Sequence, residues 1–332
     1  MPAPPLTLTA RLVDLVARIG EALGRWEGSG RSPSPQLRRE NRIRSIQASL
    51  AIENNSLSLG QVTDIIDGKR VLGLPREIKE VWNALKAYEM LENLDAGSVV
   101  DFLKAHAALM SGLVDDAGRF RKSGVGIYRG TDLVHMAPPA DRVPHQIKDL
   151  LDWLGHTDTH PLLASAVVHY EIEFIHPFSD GNGRIGRLWQ TLALCRWRPE
   201  FAWLPVETVV HDHQAEYYEA LAASDKQADA APFAEFILNT LLETLANHAA
   251  GDQVSDHLSD HVKRLLSVFV RGEILAASEI RKRLGIKHPP TFRSNYLRPA
   301  LAAGWIAMTQ PESPRSPTQG YRLTSAGEQI RT

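Results

Sequence analysis

His176-Pro-Phe-Ser-Asp-Gly-Asn-Gly-Arg-Ile-Gly-Arg187 is the stretch on which the fold of this chain turns. It reads as a loop that delivers a histidine and a carboxylate, then glycines, then the start of a helix bearing two arginines. Gly181 and Gly183 let the backbone come close to a ligand. The helix is expected to begin near Asn182 or Gly183, so its free N–H groups and positive dipole end face whatever the loop holds. That is an anion site, most naturally for phosphates. Arg184 and Arg187 share a helix face and offer two forks for phosphate oxygens. Asp180 stands just before them, where a hard carboxylate can hold Mg²⁺ between phosphates. His176 is the one side chain of the stretch whose ordinary pKa suits proton abstraction near neutrality. Each piece alone has a bland reading: a loop histidine, a turn, a solvated arginine pair. Their order within one short segment favours a complete phosphoryl site.

Outward from this segment the chain reads as helical. Apolar residues at three- and four-residue spacing predict helices over Leu8–Trp26, Gln36–Asn54, Leu59–Asp67, Pro75–Leu94, Ser98–Leu113, Pro144–His156, His160–Phe174, Gly183–Arg196, His211–Ala223 and Pro232–Ala250. Pro75 and Pro144 suit first-turn positions. Between Arg119 and Pro139 the period changes. Val125, Ile127 and Tyr128, then Leu133, Val134 and Met136, flank the turn Arg129-Gly130-Thr131-Asp132, which is a hairpin pattern. His248–Asp260 is polar and predicts a linker. Beyond it, helices over Val262–Val270, Ser278–Leu284 and Pro289–Ala303, with Gly304 as the stop, precede strands Trp305–Met308 and Gly320–Leu323 around the loop Gln310–Gln319. Three helices and a two-stranded wing make a winged-helix arrangement.

Composition sets the frame. The 332 residues are 43% hydrophobic and 23% charged, as in soluble globular chains. No apolar run is long enough to span a bilayer, and the first residues make a poor signal peptide. The single cysteine, Cys195, lies in the apolar Leu192-Ala-Leu-Cys-Arg-Trp197 and reads as a buried structural thiol without a disulfide partner. Together these point to the cytoplasm and away from a membrane. Net charge is −2, yet Ser255–Thr332 holds 12 Lys and Arg against 6 Asp and Glu, so a basic tail follows an acidic body.

The segment His176–Arg187 resembles the signature of the Fic family, His-x-Phe-x-Asp/Glu-Gly-Asn-Gly-Arg-x-x-Arg, with every defined position filled. The resemblance extends over roughly Gln36–Ala250. It implies a mainly α fold: a Fic helical core with a β-hairpin flap, to which the tail adds a C-terminal winged helix-turn-helix domain. Three regions are expected: 1–95 with an inhibitory helix, 96–250 as the catalytic core, and 251–332 as the winged-helix domain. The implied activity is transfer of AMP from ATP to a Ser, Thr or Tyr hydroxyl of another protein. His176 is then the catalytic base and Asp180 the Mg²⁺ ligand. Gly181, Asn182 and Gly183 form the anion hole, Arg184 holds the β-phosphate and Arg187 the γ-phosphate. Phe178 resembles the buried anchor of the loop. Gly183 stands where the phosphorylating Doc-like branch has lysine. The loop alone does not separate AMP transfer from the phosphocholine-transferring branch.

Further resemblances bear on control and recognition. Ser49, Glu53 and Asn54 match the family's inhibitory motif Ser/Thr-x-x-x-Glu-Gly/Asn, implying a helix whose Glu53 pairs with Arg187 and displaces the γ-phosphate. The same glutamate could instead serve AMP removal. The hairpin residues Val125, Ile127, Val134 and Met136 correspond to a target-docking flap, where an extended target segment adds to a strand edge. Tyr217 and Tyr218 resemble a tyrosine pair at the adenine pocket. In the tail, Lys287, His288, Arg293, Asn295 and Arg298 sit on or beside the third helix, which would read a major groove if the domain binds DNA. Expected partners are therefore ATP, a hydroxyl-bearing target protein, and, as candidates, DNA and a second copy of the chain in a homodimer. The competing readings are a DNA-binding regulator with a nucleotide-sensing core and an enzyme that removes AMP.

Overall fold

The computed structural model describes residues 3–28, 34–129, 132–253, 260–270, 272–286, 288–302, 304–310, 316, 318–324 and 327–328. The chain divides into two compact units, Met1–Ala249 and Ala250–Thr332.

In the first unit, helices α1 (Ala10–Gly28), α2 (Pro35–Ile52), α3 (Leu59–Ile66), α4 (Pro75–Glu89) and α5 (Val99–Met110) lead to a hairpin of β1 (Gly126–Arg129) and β2 (Asp132–Met136). Then follow α6 (Val143–His156), α7 (Pro161–Ile175), α8 (Asn182–Trp197), α9 (Val206–Asp212), α10 (Gln214–Gln227) and α11 (Ala231–Gln253). The centre is α7. Its sequence, PLLASAVVHYEIEFI, is apolar nearly all round, and such a helix must be covered on every side. Val168, Ile172 and Ile175 enter one core with Phe102, Phe178 and Trp189. Leu162, Ala166, Val167 and Tyr170 enter a second with Phe201, Tyr217 and Phe233. Helix α8 follows the same division, giving Ile185, Leu188 and Trp189 to the first core and Leu194 to the second. The loop between these two helices is therefore held by buried elements on both flanks. The N-terminal helices have no core of their own: α1 packs in the second cluster and α2 to α4 largely in the first.

Several element boundaries differ from the sequence reading, each for a local reason. Helix α2 stops at Ile52 rather than Asn54, because Asn54 is left-handed at φ 65°. Helix α4 gives way to a 3-10 turn at Leu91–Asn93. The expected single helix His211–Ala223 is two helices broken at His213, which has φ −109°. The expected linker from His248 is still helix α11 as far as Gln253, and residues 254–259 lie outside the described residues.

The second unit contains α12 (Asp260–Ser267), β3 (Ile274–Ala276), α13 (Ala277–Leu284), α14 (Pro289–Phe292), a π turn at Arg293–Leu297, α15 (Arg298–Ala302), β4 (Ile306–Met308) and β5 (Gly320–Leu323). The third expected helix is thus continuous but loosened by the π turn. The two expected strands pair antiparallel, Ile306 opposite Leu323 and Met308 opposite Tyr321. A third strand, β3, pairs with β5 and gives the order β3-β5-β4. Phe269, Phe292, Trp305 and Tyr321 help fill this unit's own core. Among the described residues, no helix is long and apolar enough to cross a membrane.

Phe102 is fully buried and meets Trp189 edge-on at 5.0 Å and Phe178 at 5.4 Å. Phe102→Ala should cost about 3–5 kcal/mol, the usual range for a buried phenyl truncated to a methyl. Urea unfolding of the whole chain measures it; a loss below ~1 kcal/mol would mean that this core is not the support of the α7–α8 loop.

Candidate active site

Helix α7 ends at His176, whose φ 49° and ψ 62° are left-handed. A β-carbon-bearing residue holds that conformation only when its surroundings fix it, and here they do. The His176 N–H donates to the Ile172 carbonyl at 2.9 Å. The His176 carbonyl accepts from Arg121 Nε at 2.7 Å. In this conformation the imidazole leaves the helix and hangs from its end. Nδ1 lies 3.3 Å from the Glu173 carbonyl, which can only accept, so Nδ1 carries the proton and Nε2 keeps its lone pair. Burial first, then the charges of His135 and Arg121, depress the imidazole to about 4. His176 is therefore a neutral base presenting Nε2.

The next residues are clamped from below. Phe178 is fully buried and lies flat against the His106 ring, centroids 3.5 Å apart. Asn182 closes the loop on itself: its Oδ1 accepts from Phe178 N–H at 2.9 Å and its Nδ2 donates to the Phe178 carbonyl at 3.0 Å. His106, which sequence reading missed, links loop to core. Gly118 N–H donates to its Nδ1 at 2.9 Å, so Nε2 bears the proton and donates to the Asp180 carbonyl at 2.9 Å. Burial holds this imidazole down, at about 4, hence neutral.

Helix α8 opens on Gly181 at φ +86°, where a β-carbon would also strike Met110 Sδ at 2.6 Å. Gly183 needs no special dihedral; its requirement is space, since a β-carbon there would run into the Glu53 carboxylate and lie 3.0 Å from Arg187 Nη1. The first turn of the helix is thus crowded by charged side chains. Arg184, 5% exposed, bonds Asp180 Oδ1 at 3.0 Å and lies 3.6 Å from Glu80 Oε1. Arg187, 3% exposed, gives Nε to Ser49 Oγ at 3.0 Å, and Nη2 to the Ser49 carbonyl at 3.0 Å and to Glu53 Oε1 at 2.8 Å. Among the described residues, the buried donors Arg184 Nε and Arg187 Nη1 find no hydrogen-bond partner. A buried unsatisfied donor costs free energy unless something supplies an acceptor, and both belong to side chains in the first two turns of α8.

Asp180 has a partly exposed side chain and also meets Arg76 at 3.3 Å. Among the described residues no group of three or more His, Cys, Asp and Glu forms a metal cage. A lone hard carboxylate beside an anion cradle suits a cation that takes its remaining ligands from phosphates and water, as Mg²⁺ usually does.

Of the three expected inhibitory residues, Ser49 and Glu53 meet Arg187 and Asn54 does not. Ser49 lies in α2, but Glu53 is its C-cap and Asn54 lies beyond it. Asn54 is exposed, and its left-handed φ explains why glycine or asparagine suits that position. Behind Arg187 lies a network that sequence reading missed. Tyr217 Oη is 3.0 Å from Glu173 Oε1 and 3.1 Å from His169 Nε2. Burial, then the nearby Glu53 carboxylate, lifts Glu173 to about 7. Tyr217, 1% exposed, is consequently a core residue and has no free face for adenine; Tyr218, 39% exposed, has one.

Of the flap residues, Val125 is half-buried and Met136 exposed at 62%, while the side chains of Ile127 and Val134 and the turn residues Gly130 and Thr131 lie outside the described set. The hairpin pairs Gly126 with Met136 and Arg129 with Asp132, with a bulge between Ile127 and Tyr128. In the second unit His288, Arg293, Asn295 and Arg298 are exposed, and Lys287 lies outside the described residues. Cys195 is half-buried rather than fully buried, free of disulfide, and its thiol is pushed up to about 12 by burial.

Residues 96–194 match the family described as Fic/DOC family, and residues 260–324 match the Filamentation induced by cAMP protein Fic-like, C-terminal domain. A Fic family protein from Desulfovibrio desulfuricans G20, known by its crystal structure, is 56% identical over 98% of this chain and 99% of its own, with a TM-score of 0.74. Fic-1 (aa134 - 508) from Caenorhabditis elegans superposes with a TM-score of 0.60 at 25% identity, covering 74% of this chain and 73% of that one. Among curated relatives, protein adenylyltransferase fic-1 of Caenorhabditis elegans is 33% identical over 215 residues, and protein adenylyltransferase Fic of Aedes aegypti is 32% identical over 216. The matched region is 61% and 60% of this chain respectively but only 40% of either relative's length.

The depressed His176 has a measurable consequence. A histidine whose folded pKa lies below its unfolded value of ~6.5 subtracts stability as pH falls from that value towards the folded one, because the unfolded chain takes the proton first. Long-range ¹H–¹⁵N NMR of histidine-labelled protein should show His176 neutral, protonated at Nδ1, until pH approaches about 4. Titration at or above the ordinary imidazole value would contradict the geometry.

Proposed function

The chain belongs to the Fic family, and from that premise we propose that it is a protein adenylyltransferase held in check by Glu53. The observation that supports this reading best is the convergence at the head of α8. A neutral imidazole, a hard carboxylate, free helix N–H groups and two partnerless arginine donors meet there. ATP fits this set: its triphosphate supplies acceptors to Arg184 Nε, Arg187 Nη1 and the N–H groups of Gly181–Gly183. Asp180 would hold the Mg²⁺ that accompanies the nucleotide, and that ion would neutralise phosphate charge.

In the proposed reaction His176 Nε2 takes the proton of a target Ser, Thr or Tyr hydroxyl. The freed oxygen forms a bond to the α-phosphorus as the bond to the bridging oxygen of the β-phosphate breaks, and pyrophosphate departs. What this chain contributes is placement and a preset electrostatic environment. Glu53 opposes it. Its carboxylate occupies Arg187 at 2.8 Å and fills the space over Gly183 where the outer phosphate would lie. ATP then binds with its α-phosphorus out of line, and transfer is slow.

Incubation with α-³²P-labelled ATP, Mg²⁺ and lysate tests both parts. Glu53→Gly should raise labelling about 30-fold or more, since a partly desolvated arginine–carboxylate contact is worth about 2–4 kcal/mol. Adding His176→Ala should remove that labelling. Persistent label in the double variant would overturn the base, and no gain from Glu53→Gly on any acceptor, the chain itself included, would overturn the brake.

A further inference from the structure

The end of α7 leaves carbonyls that the helix cannot satisfy from within, and two side chains from the hairpin region claim them in order. His135, on β2, places Nε2 2.8 Å from the Phe174 carbonyl. Arg121 gives Nη2 to the Ile175 carbonyl at 3.2 Å and Nε to the His176 carbonyl at 2.7 Å. Its backbone N–H takes the Pro177 carbonyl at 3.0 Å. The same guanidinium grips both feet of the hairpin, donating to Ser123 O at 2.7 Å and to Pro138 O at 2.5 Å. Arg121 is 4% exposed and, among the described residues, has no carboxylate partner. Its charge is instead matched to the negative end of the α7 dipole.

His135 is charged on geometric grounds. Its Nε2 faces a carbonyl and its Nδ1 lies 3.0 Å from Asp225 Oδ2. Neither partner can donate: the carbonyl is an acceptor only, and the Asp225 carboxylate also accepts from Tyr170 Oη at 3.0 Å. Both ring nitrogens must therefore carry protons.

We propose that Arg121 and His135 are positioning residues that latch the docking hairpin onto the last turn of α7, fixing the strand edge that receives a target segment relative to the His176 ring. The proposal rests on the transferase reading for its consequence in catalysis, but the latch itself is a property of the fold. Helix α10 contributes Asp225, α7 contributes Glu173 and Tyr170, and the His176 ring and Arg121 complete the charged and titratable surroundings. Burial opposes the His135 charge, but Asp225, the Phe174 carbonyl and Glu173 outweigh it and raise the group above the ordinary imidazole value. A raised imidazole holds its contacts fully at pH below the unfolded value of ~6.5, and loses them as pH rises through its higher folded value.

The test is amide hydrogen exchange of the full chain, read on hairpin peptides from pH 6 to 9 and corrected for the intrinsic rate. Wild-type hairpin protection should fall about tenfold across the His135 titration, the scale of one charge-assisted hydrogen bond. His135→Gln should show the low protection at every pH, and Asp225→Asn should move the fall to lower pH. In a Glu53→Gly background, His135→Gln should cut self-modification about tenfold while leaving the Kd for MgATP within about twofold. Wild-type protection that does not change with pH, or identical protection in wild type and His135→Gln, would overturn the latch. If the exchange results hold while the Glu53→Gly protein transfers no AMP to any acceptor, the transferase reading alone has failed.

Discussion

A guanidinium charge almost wholly removed from water, Arg187 at 3% exposure, is the constraint around which the first unit is arranged. Such a charge must be paired and hydrogen-bonded or it destabilises the fold by several kcal/mol. Part of the requirement is met by the Ser49 hydroxyl and carbonyl, which come from α2, and part by Glu53 at that helix's C-cap. One donor is left over, Nη1. The asymmetry matters. Ser49 meets Arg187 at two points from within α2, while Glu53, 30% exposed, is the partner that reaches solvent. The proposed brake rests on that difference: a ligand with more acceptor oxygens than one carboxylate would compete for the Glu53 side of the guanidinium and leave the Ser49 side in place.

The same logic of satisfying charges and orphaned groups runs through the site. The carbonyls of residues 172 to 177 each accept a hydrogen bond, from the His176 backbone and ring, from His135 and from Arg121. The loop that follows is closed by Asn182 and seated on Phe178 and His106. The catalytic candidate is thus the end of a rigid element rather than a mobile loop side chain, which is what preorganised chemistry requires. The hairpin is tied to that same end through Arg121 and His135.

The loop, its helix and the Ser49–Glu53–Asn54 helix end were legible because each is a local pattern with a local physical cause: glycines for approach and dihedral, arginines at helical spacing, an asparagine where φ is positive. His106, Arg121, His135 and Glu173 were not legible. Their partners lie 74, 55 and 39 residues away for the first three, and nothing periodic marks such contacts. His106 did leave a trace, as a polar residue on the apolar face of its helix, four places after Phe102. Tyr217 misled in the opposite direction, since an aromatic at helical spacing fills a core as readily as it stacks on a base. Strand β3, only Ile274–Ala276, is too short to show alternation, and the break at His213 has no proline or glycine to announce it.

If Glu53 and an incoming nucleotide compete for Arg187, a double-mutant cycle on ATP affinity measures the competition. Calorimetric titration of MgATP into wild type, Glu53→Gln, Arg187→Ala and the double variant provides it. Glu53→Gln should then tighten binding at least about tenfold when Arg187 is present, and leave affinity unchanged when Arg187 is alanine. An equal gain in both backgrounds would contradict that competition, because Glu53 would then act on the nucleotide without passing through Arg187.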